Sequence, residues 1–116
     1  MLNCKCSCGD ITFIVPHEPE EIARCFCSIC SKYSKSSFVC FAKYQKNDIN
    51  TIMSNMSNMS IIRSSKRAIR GFCSVCKDNI FMIYNDSNNI WINTNTFTFS
   101  YEHIDTYDIF NTLKNT

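Results

Sequence analysis

Cys6-Ser7-Cys8-Gly9 and, far along the chain, Phe72-Cys73-Ser74-Val75-Cys76 are the stretches that decide how this protein folds. A C-x-C and a C-x-x-C together supply four thiols, the closed set of a tetrahedral structural metal site, and zinc is the ion that such a set suits. One ion joining residues 6–8 to residues 73–76 closes a long loop and ties the start of the chain to its second half. Such a site adds directly to native stability, because it does not pre-exist in the unfolded chain. Gly9 suits the turn after the second thiol, where backbone amides can point at sulfur. Cys4-Lys5-Cys6 is a competing C-x-C, but Cys6 and Cys8 are the favoured pair because they lie beside the Gly9 turn.

The chain holds nine cysteines in 116 residues, an odd number gathered in clusters. Its first residues, MLNCKCSCGD, lack the basic and apolar regions of a secretory signal, so an intracellular, reducing and cytoplasmic location is expected. Disulfides are rare in that compartment, and clustered thiols suit a metal better than distant staples do. Zinc is therefore favoured over a disulfide framework, and over iron–sulfur, whose usual run of ligands is not cleanly present.

A second cluster, Cys25-Phe26-Cys27-Ser28-Ile29-Cys30, places three thiols within one short knuckle. Three protein ligands and an open position are the mark of a catalytic or ligand-capturing zinc. The competing reading closes the site with Cys40, Cys4, His17 or His103; the open one is favoured. Three thiolates more than cancel Zn²⁺, so a bound water would be acidified less than at a three-histidine zinc. That balance suits exchange of a substrate thiol better than hydrolysis.

The length predicts one domain over residues 1–116. The segments at 10–15 (DITFIV), 37–44 (SFVCFAKY), 68–72 (AIRGF), 80–84 (IFMIY) and 90–99 (IWINTNTFTF) read as strands, which predicts an all-β sandwich or open barrel. Residues 18–24 fit either a helical turn or the approach to a strand, and residues 27–34 a short helix. MSNMSNMS (53–60) reads as a polar loop whose methionines rest on apolar surface. No apolar run is long enough to span a membrane. A formal charge of +2 is too small to imply a nucleic-acid partner. Four basic residues lie between Arg63 and Arg70; Lys66, Arg67 and Arg70 are candidates for holding a small anion such as a peptide carboxylate, against the plainer reading of a solvated strand edge.

Taken in order, CSCGDITFIV (6–15), CFCSICSKYSKSSF (25–38), RSSKRAIRGFCSVC (63–76) and IWINTNTF (90–97) resemble the glutathione-dependent formaldehyde-activating enzyme family, which includes centromere protein V. That family shows C-x-C-G before a strand, then C-H-C-x-x-C-x-x-S-G-S, S-S and R-x-F-C-x-x-C-G. The resemblance implies a zinc-stapled β-tent of small antiparallel sheets and two Zn²⁺ per chain: one structural, at Cys6, Cys8, Cys73 and Cys76, and one at Cys25, Cys27 and Cys30. It also implies a carbon–sulfur lyase that joins glutathione and formaldehyde as S-(hydroxymethyl)glutathione, with a small thiol as substrate. A zinc-stabilised module binding a protein or nucleic acid is the alternative. The chain departs from the pattern at Phe26 (for His), at Lys35 and Lys77 (each for Gly), and at Asn95-Thr96-Phe97-Thr98, which lacks the family's acid.

Overall fold

The computed structural model describes residues 1–25, 38–49, 59–63 and 66–109. Nine strands run through them: β1 (Leu2–Lys5), β2 (Thr12–Val15), β3 (Ile22–Cys25), β4 (Val39–Gln45), β5 (Met59–Arg63), β6 (Ala68–Cys73), β7 (Asn79–Tyr84), β8 (Asn89–Asn93) and β9 (Thr106–Ile109). β1 and β2 form an antiparallel hairpin. The others make one sheet in the order β5-β6-β7-β8-β4-β3-β9, antiparallel except for the β3–β9 pair.

The protein is mainly β, as its alternating segments predict, and residues 18–24 lead into a strand. Residues 94–99 depart from the expected long strand. β8 stops at Asn93, whose side-chain oxygen accepts the Asn95 amide (3.0 Å) and starts a single 3-10 turn at Thr94–Thr96. Asparagine competes with the ladder for backbone donors, which is why the strand ends there. β1, β5 and β9 have little sequence signal of their own, and pairing with neighbours makes them strands. The helix expected at 27–34 lies outside the described residues, as does most of the methionine repeat, whose Met59 is buried in β5.

The large sheet has two differently packed faces. A continuous cross-strand row, Gly71–Phe81–Ile92–Ala42–Ile22, lines the first. The hairpin packs there, burying Ile11, Phe13 and Val15 against Phe81, Ile92 and Ile22. The second face carries Cys25, Val39, Phe41, Ala68 and Met82, with Tyr84 and Trp91 beside them. Burial on both faces explains why β7 reads as a nearly unbroken apolar run.

A register shift after Gly71 sets Phe72 opposite Asn79 and leaves Ile80 unpaired between Asn79 and Phe81. Asn79 repairs this bulge: its amide nitrogen donates to Gly71 O (3.0 Å) and Phe81 O (3.1 Å), and Asn93 donates to its carbonyl (2.8 Å). Bulges bend and re-aim a strand. This one lies just ahead of Cys73.

Candidate metal centre

Two turns of similar build carry the thiols. In the first, the Cys6 amide donates to Ile11 O (3.0 Å) and the Gly9 amide to Cys6 O (3.1 Å). In the second, the Cys73 amide donates to Asp78 O and the Lys77 amide to Cys73 O, both at 3.0 Å. Each turn contains one left-handed residue: Gly9 at φ 82° and Lys77 at φ 66°. Only glycine adopts that conformation without a steric cost, so the second turn explains why the family pattern has glycine where this chain has Lys77. The Lys77 ammonium donates to Ser74 O (2.8 Å), which offsets part of the strain. Lys77→Gly is expected to raise the thermal midpoint, by up to about 1 kcal/mol of stability; an unchanged or lower midpoint in the zinc-loaded protein would count against strain at this turn.

The hairpin brings the first turn onto the second. The sulfurs of Cys6, Cys8, Cys73 and Cys76 all lie within 4.8 Å of one another, with Cys8 Sγ 3.6 Å from both Cys6 Sγ and Cys73 Sγ. Zinc–sulfur bonds of about 2.3 Å in a tetrahedron place sulfurs roughly 3.8 Å apart, so the four thiols fit a zinc ion in spacing as in chemistry. Ile11 adds an amide hydrogen bond to Cys6 Sγ (3.3 Å). Asp78 clamps the turns together, its Oδ2 accepting from the Ser7 amide (2.7 Å) and the Ser7 hydroxyl (2.5 Å). Sequence reading missed Asp78 because Ser7 lies at the far end of the chain, and no local spacing advertises the pair.

The thiols also hold their protons unequally. Burial disfavours the Cys73 thiolate, but the Cys76 and Val75 amides and the neighbouring thiols outweigh it and bring Cys73 down to about 7. The Asp10 amide favours ionised Cys8, yet desolvation and hydrogen bonds shared with the other three thiols push it up to about 12. Desolvation likewise raises Cys76. A dication must therefore displace protons from Cys8 and Cys76, and its affinity rises with pH and falls as pH drops toward that of Cys73. Zinc uptake near pH 7.5 is expected to release at least about two protons per ion, read by calorimetry in buffers of different ionisation enthalpy. Uptake without proton release would exclude this thiol set as the ligands.

The competing ligand Cys4 is not among the clustered sulfurs. It is buried beneath the hairpin and bonded to Thr96, and burial raises it to about 12, as befits a core thiol. Cys25 is fully buried at the end of β3, on the second face of the sheet, while Cys27 and Cys30 lie outside the described residues. The candidates for a closing ligand are placed elsewhere. Cys40 follows Val39, the cross-strand partner of Cys25, and so points to the opposite face. His17 lies against Tyr44 with the rings tilted (centroids 5.7 Å apart), five residues along β4 from Val39 and thus roughly 16 Å away. His103 pairs with Glu18 at that same far end. Among the described residues, none of the four faces Cys25.

The three basic candidates are not brought together. Lys66 and Arg67 are exposed in the turn before β6, whereas Arg70 is 2% exposed and lies on the Cys25 face. Its guanidinium donates to Asn79 Oδ1 (3.1 Å) and sits 5.8 Å from the centre of the Phe41 ring.

The family model described as glutathione-dependent formaldehyde-activating enzyme matches residues 1–112. The chain belongs to this family. Among curated proteins no match was found. A Rhodobacter sphaeroides protein of known crystal structure is similar in fold: TM-score 0.67 at 14% identity, over 90% of this chain and 99% of that one. Membership joins the four-thiol cluster to the formaldehyde-activating family's C-x-C-G and C-x-x-C segments, here the two turns that converge. Among the described residues, no helix is long and apolar enough to cross a membrane.

Proposed function

We propose that this protein is a zinc-dependent carbon–sulfur lyase of the formaldehyde-activating type, adding a glutathione-like thiol to formaldehyde in the cytoplasm. The observation that carries the reading is the placement of Cys25: it is buried on one face of the sheet while Cys4, Cys40, His17 and His103 all lie elsewhere. In our reading a zinc held by Cys25, Cys27 and Cys30 would take the substrate as its fourth ligand. A zinc ion held there would supply Lewis acidity to a bound thiol or aldehyde, tempered by three thiolates that favour thiol exchange over hydroxide.

The chain's own residues prepare the surroundings. Arg70 contributes a fixed positive charge to the face on which Cys25 lies, and Phe41, Tyr84 and Trp91 keep that face apolar. Charges interact more strongly where water is excluded. In the reaction the thiol sulfur bonds to the formaldehyde carbon, and the proton lost from sulfur ends on the former carbonyl oxygen. The four-thiol centre has no part in this chemistry in our reading; it holds the hairpin against the sheet.

The test joins a metal count to a rate. Zinc-loaded protein is expected to hold two ions per chain and to form S-(hydroxymethyl)glutathione faster than the uncatalysed mixture, followed by exchange NMR. Cys27→Ser is expected to lose one ion and the rate enhancement while keeping its cooperative thermal transition. Loss of both ions with unfolding would make the second site structural, and no rate above background in the two-zinc protein would exclude the lyase.

A further inference from the structure

The four sulfurs of the closed centre differ in accessibility. Cys6 is 2% exposed and Cys73 fully buried, Cys76 is half-buried, and Cys8 is exposed. Cys8 is also the sulfur with two neighbours at 3.6 Å, Cys6 on its own turn and Cys73 on the other. We propose that Cys8 is an oxidation site, at which a peroxide converts the metal centre into a Cys8–Cys73 disulfide.

Reach decides where an oxidant strikes. A hydroperoxide must approach the sulfur along a free path, and among these four Cys8 is the most exposed. The Cys8 thiolate takes the terminal peroxide oxygen and becomes a sulfenic acid, and the first hydroxide leaves. A second thiolate then attacks that sulfur, forming the S–S bond and expelling the second hydroxide. Two electrons pass from two sulfurs to one peroxide, which ends as two waters after protonation.

Cys73 is the better second thiol although Cys6 is equally near. A Cys6–Cys8 bond would close a very small ring through Ser7, whose amide and hydroxyl are both held by Asp78. A Cys8–Cys73 bond instead links the two turns that the metal links, so the hairpin stays tied to β6. Cys6 and Cys76 alone are too few to retain a structural zinc, which is therefore released. A low-molecular-weight thiol in excess reverses the exchange by reducing the disulfide and freeing the ligands. Thus the centre is a redox-sensitive staple: metal-tied when reduced, sulfur-tied when oxidised.

Zinc-loaded wild-type protein provides the test, with no variant needed. A sub-stoichiometric pulse of N-ethylmaleimide, followed by peptide mapping with fragment ions, is expected to label Cys8 at least about 10-fold faster than Cys6, Cys73 or Cys76. Hydrogen peroxide is expected to give a Cys8–Cys73 disulfide in step with zinc release to a chromophoric indicator, with the far-ultraviolet circular dichroism kept. First labelling at Cys6, Cys73 or Cys76, a Cys6–Cys8 product, or an unmodified centre when peroxide has consumed the other thiols would each overturn the proposal. Mapping reads Cys25, Cys27 and Cys30 separately, so the outcome does not depend on whether the second knuckle is catalytic.

Discussion

Removal of zinc from the four-thiol centre is expected to abolish the cooperative fold. Structural zinc in zinc-finger peptides contributes roughly 10–16 kcal/mol of apparent free energy at neutral pH. A domain of this size is stable by only about 5–15 kcal/mol in total. A zinc ion held by these four thiols would therefore contribute an amount comparable with the whole margin. Its leverage is also topological, because Cys6 and Cys8 follow β1 while Cys73 and Cys76 end β6 and its turn. Without the ion the hairpin keeps its apolar contacts, a bridge between Cys4 and Phe97, the Ser7 hydrogen bonds to Asp78, and a hydrogen bond from Thr98 to Asn3 O (2.7 Å). Those contacts are ordinary in kind, whereas the metal-free centre keeps four crowded thiols that no longer share a cation. Cys73→Ser or a strong chelator is expected to lower the thermal midpoint by at least about 20 °C or to leave no transition. Zinc should restore the chelated wild type and not the variant. A midpoint unchanged by both treatments would show that the centre is not structural.

The second large effect is expected at Gly71, one of two glycines in the chain. A Cβ there would lie 2.2 Å from Phe81 Cε1 and 2.7 Å from Cζ, far inside any tolerated contact. Phe81 is 1% exposed and central to the row that faces the hairpin, so its ring has little room to withdraw. Forced overpacking of a core costs about 1–3 kcal/mol and sometimes more. Gly71→Ala belongs at or above the top of that range, because the bulge carbonyl of Gly71 is also held by Asn79 and the backbone cannot easily give way. A midpoint lowered by roughly 10 °C or more is expected in the zinc-loaded protein. Phe81→Leu should cost less in the Gly71→Ala background than in the wild type, since it relieves the clash. Strict additivity of the two changes would refute a direct contact. The other glycine behaves differently: a Cβ at Gly9 meets nothing within 4 Å, and only the left-handed backbone resists substitution.

Determined by the sequence alone were a set of four thiols able to hold a metal, the β character and the family. Thiols at C-x-C and C-x-x-C spacing reveal their purpose locally, because a knuckle is a local structure and zinc demands a fixed number of sulfurs. Alternating runs such as Thr12–Val15 likewise carry their burial in the order of their residues. Everything that depended on partners distant in the chain was decided by the tertiary structure. It separated Arg70 from Lys66 and Arg67, because strand alternation turns Arg70 inward while the other two stay in an exposed turn. It placed Cys4 in the core and Cys6 in the four-thiol cluster, although they are two residues apart in one C-x-C. It made Asp78 the clamp on Ser7 and Phe81 the neighbour of Gly71. Its deepest effect was on the opening feature, two short stretches of cysteine: spacing specified four ligands, but only the docking of the hairpin onto β6 brought their sulfurs to tetrahedral distance, since a metal site spanning the chain exists only where the fold has already closed the loop.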